Sequence, residues 1–456
     1  MSNKRDYSEI TPEIKKMTDI CIGNSSIPPE LYTKYEVKRG LRDINGNGVV
    51  TGLTNISEIN SKKVVDGVTV PCPGELYYRG YDVHSLIQGL VEDKRYGYEE
   101  IAYLLLLGQL PTKEELEEFC SVLAGYRSLP ASFTRDIIMK APSHNIMNSL
   151  ARSVLTLYSY DNNADDTSLP NVLRQNLQLL ATMPMLSIYA YHAYKYFHTG
   201  GGSLTIRDPD PSLSTAENIL MMLRPNGTYT ETEAHVLDVA LILHAEHGGG
   251  NNSSFTTHVV TSSGTDTYSA IAAALGSLKG PKHGGANIKV SKMFDDIKTN
   301  VKDWEDEDEI RAYLRKILNG EAFDRSGLIY GMGHAVYSVS DPRSEILESY
   351  LPKLAKEKGR EHELVLYENV EKIAPEVIAE KKRIYKGVSA NVDFYSGLLY
   401  QLLNIPEEIY TPLFAIARTA GWGAHRMEEL AGGSRIIRPA YKAVGEHREY
   451  VSIDKR

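Results

Sequence analysis

Three glycine-punctuated segments each hold one proton-transfer side chain: Gly280-Pro281-Lys282-His283-Gly284-Gly285, Gly331-Met332-Gly333-His334-Ala335-Val336-Tyr337 and Asn391-Val392-Asp393-Phe394-Tyr395-Ser396-Gly397. Glycine allows close approach of backbone to a ligand, and a loop side chain is not committed to a core. Two imidazoles and a carboxylate form an acid–base set. His283 lies between a helix stop and a helical pattern that starts near Ala286. A helix N-terminus disfavours a nearby cation, so this ring is expected to stay neutral and to donate a hydrogen bond to a developing enolate oxygen. Taken singly it also reads as a turn residue or local cap. Asp393 opens the helical pattern 394–403, where Asp is a common N-cap. Its neighbours Phe394 and Tyr395 would keep water away and raise its basicity, as a base acting on carbon requires. The loop around His334 is too rich in glycine for an element interior and suggests backbone wrapped round a ligand. A phosphate cradle is the rival, but the spacing fits neither a dinucleotide fingerprint nor a P-loop.

A second group of residues suits anion holding. Arg343 follows Asp341-Pro342 in the first turn of an expected helix, Arg418 sits inside the apolar run Phe414 to Trp422, and Arg438 precedes Pro439. Burying a guanidinium costs several kcal/mol unless it is paired, so Arg418 is expected to meet a carboxylate from protein or substrate. Bidentate clamping of a small dicarboxylate would satisfy all three arginines, whereas each alone also fits an ordinary ion pair. His244 and His247, three apart with Glu246 between them, are read as one helical face. A zinc helix needs His residues four apart with Glu directly after the first, and that pattern is absent. His247 is therefore read as a substrate contact and His244 as packed structure, with no metal.

In this order, and with Gly74-Glu75-Leu76-Tyr77-Tyr78-Arg79-Gly80-Tyr81 near the start and Arg438-Pro439 near the end, these segments resemble the citrate synthase family over nearly the whole chain. The resemblance implies an enzyme that condenses acetyl-CoA with oxaloacetate and hydrolyses citryl-CoA to citrate and CoA. It assigns Asp393 as the base, His283 as the enolate stabiliser and His334 as the acid. His247, Arg343 and Arg418 would hold oxaloacetate, and Arg438 would enter the site of a partner subunit in an obligate homodimer. CoA would meet Leu328, Ile329, Gly331, Lys386 and Asn391. Acetyl-CoA is then a co-substrate, with no tightly bound cofactor. Ser389-Ala390 before Asn391, where relatives often carry Tyr-Pro, and Ser338, where bacterial relatives often carry a basic residue, are departures that bear on the CoA contacts. The same scaffold serves 2-methylcitrate synthase with propionyl-CoA, and one methyl is worth only about 1–3 kcal/mol in a pocket. A catalytically inactive CoA-binding homologue and a metal-dependent hydrolase are the readings from other classes.

The elements that must position these residues are expected to be almost all α-helical, with small β-hairpin elements near the N-terminus. The resemblance implies a large domain from residues 1–283 and 394–456 and a small domain from 284–393, closing over a cleft. Thr230 with Glu233 reads as a capping box for a helix running past His244 to Gly248-Gly249-Gly250. Tyr98 starts a helix that Gly108 stops, residues 267–279 form another, and the acidic run Glu305 to Glu309 reads as a helix start. Asp43-Ile44-Asn45-Gly46-Asn47-Gly48 imitates a calcium loop, but Thr54 stands where that loop needs a bidentate Glu, so a hairpin turn is preferred. A net charge of -9 with no basic run argues against nucleic-acid and anionic-membrane partners. The start lacks the apolar stretch of a secretory signal, and no apolar run approaches the roughly 20 residues of a spanning helix. Three cysteines, Cys21, Cys72 and Cys120, show no metal spacing, and an odd number suits a reducing cytoplasm.

Overall fold

The computed structural model describes residues 8–43, 47–200, 203–334, 336–381, 387–433 and 435–456. These form two compact units, residues 1–53 and 54–456. In the first, the helix Pro12–Ser25 is capped by the Thr11 hydroxyl and followed by the short helix Pro29–Lys34. The expected turn at 43–48 is supported by an antiparallel bridge between Arg42 and Gly48 and by Asp43 N–H donating to Asn47 O at 2.9 Å; residues 44–46 lie outside the described ones.

The second unit is helical apart from one antiparallel sheet of Ser57–Val65, Val68–Tyr78 and Tyr81–Asp82. Asp66-Gly67 joins the first two strands with both residues at positive φ, the geometry that matches strand twist in a two-residue hairpin. The sheet touches the site at its second strand, where Gly74 N–H donates to Ser340 O at 3.2 Å and Glu75 O accepts the Tyr337 hydroxyl at 3.3 Å, and through Ser57 and Tyr78. A Cβ on Gly74 would lie 2.4 Å from Ser340 O and 2.6 Å from the Tyr337 ring, so only glycine lets this strand reach the His334–Arg343 segment.

Among the helices, Tyr98–Leu107 buries Ile101, Ala102, Leu104 and Leu105 and ends at Gly108 in the left-handed conformation, as expected. Asp306 caps Glu307–Asn319, which opens on three acidic residues and buries Ile310, Tyr313, Leu314 and Ile317. The 22-residue helix Tyr410–Ala431 is the axle of the core, packing against Leu169–His198, Asn252–Thr261, Glu231–His244 and Tyr98–Leu107. Its buried face carries Arg418, Trp422 and His425, which recur at the four- and three-residue spacing of one helical face.

Two helix ends differ from expectation. The capping box Thr230–Glu233 is present, but its helix, Glu231–His244, stops well before the glycines. The Tyr78 hydroxyl lies 3.0 Å from both Ile242 O and Glu246 O, and Arg418 Nε donates to His244 O at 2.6 Å, so side chains from elsewhere take the carbonyls that a longer helix would use. His247 therefore lies beyond the helix, not on one face of it with His244. At Val392–Leu402 the N-cap is Asn391, not Asp393; Asn391 Oδ1 accepts Asp393 N–H at 3.0 Å. That leaves the Asp393 carboxylate uncommitted to capping.

Candidate active site

Asp393, in the first turn of Val392–Leu402, has Oδ1 enclosed and without a hydrogen-bond partner among the described residues. Burial pushes its carboxyl up to about 7, against the pull of Arg343, with Asp341 raising it further and Arg418 lowering it. This is a base of near-neutral strength. The expected cause, desolvation, is the operating one.

The His334 loop is stitched to that helix start. Gly331 O accepts Asn391 N–H at 2.9 Å, Gly333 N–H donates to Ser389 O at 2.7 Å, and Asn391 Nδ2 donates to Gly333 O at 2.8 Å. Gly331 has φ 82, and a Cβ there would lie 2.9 Å from the Phe394 ring. Two amides, of Val336 and Tyr337, donate to His334 Nδ1 at 3.1 Å each. A nitrogen that accepts two N–H groups carries no proton, so the neutral ring holds its hydrogen on Nε2.

His283 lies just before the helix Ala286–Asn300. Its pKa is pushed down to about 4, by burial first and Arg418 second, so it is neutral at ordinary pH. The neutrality is as expected; the leading cause is burial, not the helix terminus. His283 Nε2 sits 3.0 Å from Ser253 Oγ, which also accepts Trp422 Nε1–H at 3.1 Å. Ser253, near the start of Asn252–Thr261, was not singled out by sequence reading. Its only sequence signal is a position two residues after the cap Asn251.

The anion-holding group converges on the same place. His247 is 7% exposed with Nε2 unpartnered, its ring edge-on to His334 at 5.1 Å and to Tyr337 at 5.6 Å. Burial, with Arg343, His334, Arg418 and His283 adding to it, holds His247 far below its usual range. Arg343 is 3% exposed and already bidentate to its own helix cap, Nε to Asp341 Oδ1 at 3.0 Å and Nη2 to Oδ2 at 2.7 Å. Its carboxylate partner is thus internal. Arg418 is 1% exposed and has no ion pair to a carboxylate among the described residues. Nε takes the His244 carbonyl, the guanidinium lies 4.7 Å above the Phe414 ring, and Nη2 is buried and unpartnered. Burial lowers it to about 10, with Glu246 opposing. A buried, unpaired N–H of a cation is a vacancy for an anionic oxygen. His244 is fully buried and stacked on Phe414 at 4.4 Å, as packed structure should be.

Of the remaining expected residues, Gly331 and Asn391 border this cluster through the bonds described above. Arg438 is exposed on the C-terminal segment, where the neighbouring Ile437 amide is tied to Ser262 Oγ. Leu328 is exposed, Ile329 is buried, and Lys386 lies outside the described residues. The Asn391 side chain is spent on the cap and on Gly333 O. No group of three or more metal-binding side chains is found among the described residues. No helix among them is long and apolar enough to cross a membrane.

Residues 44–440 match the family described as citrate synthase, C-terminal domain. The chain is 36% identical to the citrate synthase of Haloferax volcanii over 92% of its own length and 99% of the relative's. It is 33% identical to 2-methylcitrate synthase 2 of Corynebacterium glutamicum over 93% and 99%. Among solved structures it resembles the ternary complex of carboxymethyl coenzyme A and oxaloacetate with citrate synthase from Thermoplasma acidophilum. The TM-score is 0.74 at 26% identity, covering 92% of this chain and 99% of that one. The chain belongs to the citrate synthase family.

Proposed function

We propose that this protein condenses acetyl-CoA with oxaloacetate and hydrolyses the citryl-CoA formed, releasing citrate and CoA. The observation that carries the reading is the convergence of one unpartnered, near-neutral carboxylate with neutral His283 and His334 beside the open guanidinium of Arg418. Asp393 takes a proton from the thioester methyl group. His283 donates a hydrogen bond to the enolate oxygen that forms. For Nδ1 to be that donor, Ser253 must turn its own hydroxyl hydrogen to His283 Nε2; Trp422, which can only donate, leaves that hydrogen free for the purpose. The enolate carbon then attacks the keto carbon of oxaloacetate while His334 Nε2–H protonates the keto oxygen. Water finally cleaves the thioester of citryl-CoA. His247, Arg343 and Arg418 hold the oxaloacetate carboxylates.

The unit of function is proposed to be a homodimer in which the exposed Arg438 serves the partner's site. Residues 284–393 are proposed to close as a small domain on 1–283 and 394–456, excluding water until the carbon bond is made. CoA is assigned to the backbone around Leu328, Ile329 and Gly331, together with Lys386 and Asn391. With three cysteines free, the protein is placed in a reducing cytoplasm. Propionyl-CoA is the competing acyl donor, because 2-methylcitrate synthases are nearly as similar to this chain as citrate synthases. CoA thiol release from each thioester, with and without oxaloacetate, tests both readings. Faster oxaloacetate-dependent release from acetyl-CoA is expected; a propionyl-CoA preference would move the substrate, and no dependence on oxaloacetate would overturn the reaction.

A further inference from the structure

Behind the arginine clamp runs a hydrogen-bonded chain that the reaction does not use. Glu246 Oε1 lies 3.0 Å from His425 Nε2, His425 Nδ1 lies 3.1 Å from His258 Nε2, and His258 Nδ1 lies 2.7 Å from Glu429 Oε2. It begins at two side chains with no exposure and ends at two that are about 15% exposed, so one end is sealed and the other reaches solvent. Gly249, within the glycine triplet after His247, passes over the ring pair, where a Cβ would lie 3.3 Å from His425 Cε1 and 3.4 Å from His258 Nε2.

The protons in this chain can be counted. Three hydrogen bonds need three hydrogens, and each end is a carboxylate that accepts. Two neutral imidazoles bring only two. Without a third proton, either two ring nitrogens meet lone pair to lone pair at 3.1 Å, or His258 turns a lone pair to Glu429, or His425 turns one to Glu246. We propose that Glu246, His425, His258 and Glu429 form a proton-sharing strut that holds one proton beyond those of neutral rings, and that this proton strengthens oxaloacetate binding at Arg418. The inference rests on the oxaloacetate reading of the Arg418 site.

The link to the clamp is short. Glu246 precedes His247 in the chain, its Oε2 is buried without a partner, and its charge acts on Arg418. Burial would raise the Glu246 carboxyl, but His425, Arg418 and the Ser57 hydroxyl outweigh it and hold it near 2. With the third proton in place the four residues carry one net negative charge; without it they carry two. The added negative charge faces Arg418 and subtracts from what that cation offers a substrate carboxylate. Burial and His425 both weaken proton binding at His258 and Glu429 offsets them only in part, so the proton is held loosely and is lost below the usual histidine range. The other charged groups that face the strut are Arg79, which interacts with Glu246 and Glu428, and Glu428 itself. Tyr78 and His247 are neutral neighbours, and Arg426 turns away to Thr261, Thr265 and Thr267.

Glu429→Gln provides the test. A glutamine amide donates to His258 Nδ1, so the rings then need no third proton and the strut keeps one net negative charge at every pH. Oxaloacetate is titrated into the full-length protein by calorimetry from about pH 5 to about pH 6.5, below the range in which Asp393 ionises, in two buffers of different ionisation enthalpy. Wild-type affinity is expected to fall about three- to tenfold over that range, with proton uptake on binding, as linkage requires when the protonated form binds better. Glu429→Gln should keep the low-pH affinity throughout and lose the uptake. His258→Arg, a permanent cation between His425 and Glu429, should do the same and serves if the first variant folds poorly. Parallel pH dependence in wild type and both variants, or none in wild type, overturns the strut. Failure of wild type to bind oxaloacetate at any pH instead overturns the reading of the site.

Discussion

The clamp and the acid–base set occupy one site but are built in opposite ways. Arg343 and Arg418 are side chains of long helices, buried to a few per cent, and locked by Asp341 and by the His244 carbonyl. His283, His334 and Asp393 sit at helix starts or in a glycine loop, and Asp393 Oδ1 has no hydrogen-bond partner among the described residues. The clamp spends its hydrogen bonds on position. The acid–base set is fixed through one nitrogen of each ring, by backbone amides on His334 Nδ1 and a hydroxyl at His283 Nε2. Rigid charge placement suits a ligand that must be held throughout, whereas proton transfer needs groups whose bonds can be exchanged.

Substitutions can break this contrast, beginning with the largest effect. Asp393→Asn should lower kcat about 10³- to 10⁴-fold while calorimetric oxaloacetate affinity stays close to wild type. The same change should raise thermal stability at about pH 8. A folded-state pKa raised above the unfolded one contributes stability that is full below the unfolded value and is lost as pH rises from there through about 7. Differential scanning calorimetry at about pH 5 and about pH 8 should show a clearly larger gain at the higher value.

The two arginines sharpen the comparison from the other side. Arg343→Gln strands buried Asp341 and should cost about 3–5 kcal/mol of stability along with oxaloacetate binding. Arg418→Met removes a guanidinium that has no ion pair, so binding should be lost with a stability change of about 1 kcal/mol or less. Denaturant titrations of the pair check this; equal losses would contradict the distinction drawn between them.

The kcat profile should rise with pH through about 7, by about tenfold per unit below that value, because protonated Asp393 cannot accept the methyl proton. His283, already neutral above about 4, should add no second limb in that range. Smaller still is Ser253→Ala, which leaves His283 Nε2 and the Trp422 N–H without their shared oxygen. It should lower kcat about tenfold with little change in the KM for oxaloacetate, measured by steady-state kinetics.

What the sequence made legible was local. The capping box at Thr230, the stop at Gly108 and the acidic start at Glu307 are decided within one turn and stand as expected. The proposed acid–base residues stand out in the sequence because glycine marks where backbone can approach a ligand closely. Long-range capture of polar groups was not legible. Tyr78 and Arg418 end the helix at His244 from positions more than 160 residues away, and no local pattern announces that. Asn391 displaces Asp393 from the cap because its side chain also ties Gly333, a contact across 58 residues. The chain from Glu246 through His425 and His258 likewise joins three segments that only the folded helices bring together.

The central claim is that Asp393 is the base and that its work is separate from the holding of oxaloacetate. The most direct test measures oxaloacetate-dependent CoA release from acetyl-CoA by wild type and Asp393→Asn at about pH 8, with oxaloacetate binding measured on the same samples. The account predicts turnover by wild type, a loss of about 10³-fold or more in the variant, and matching affinities. A variant rate within about tenfold of wild type, or a loss of rate explained by lost oxaloacetate binding, would contradict it.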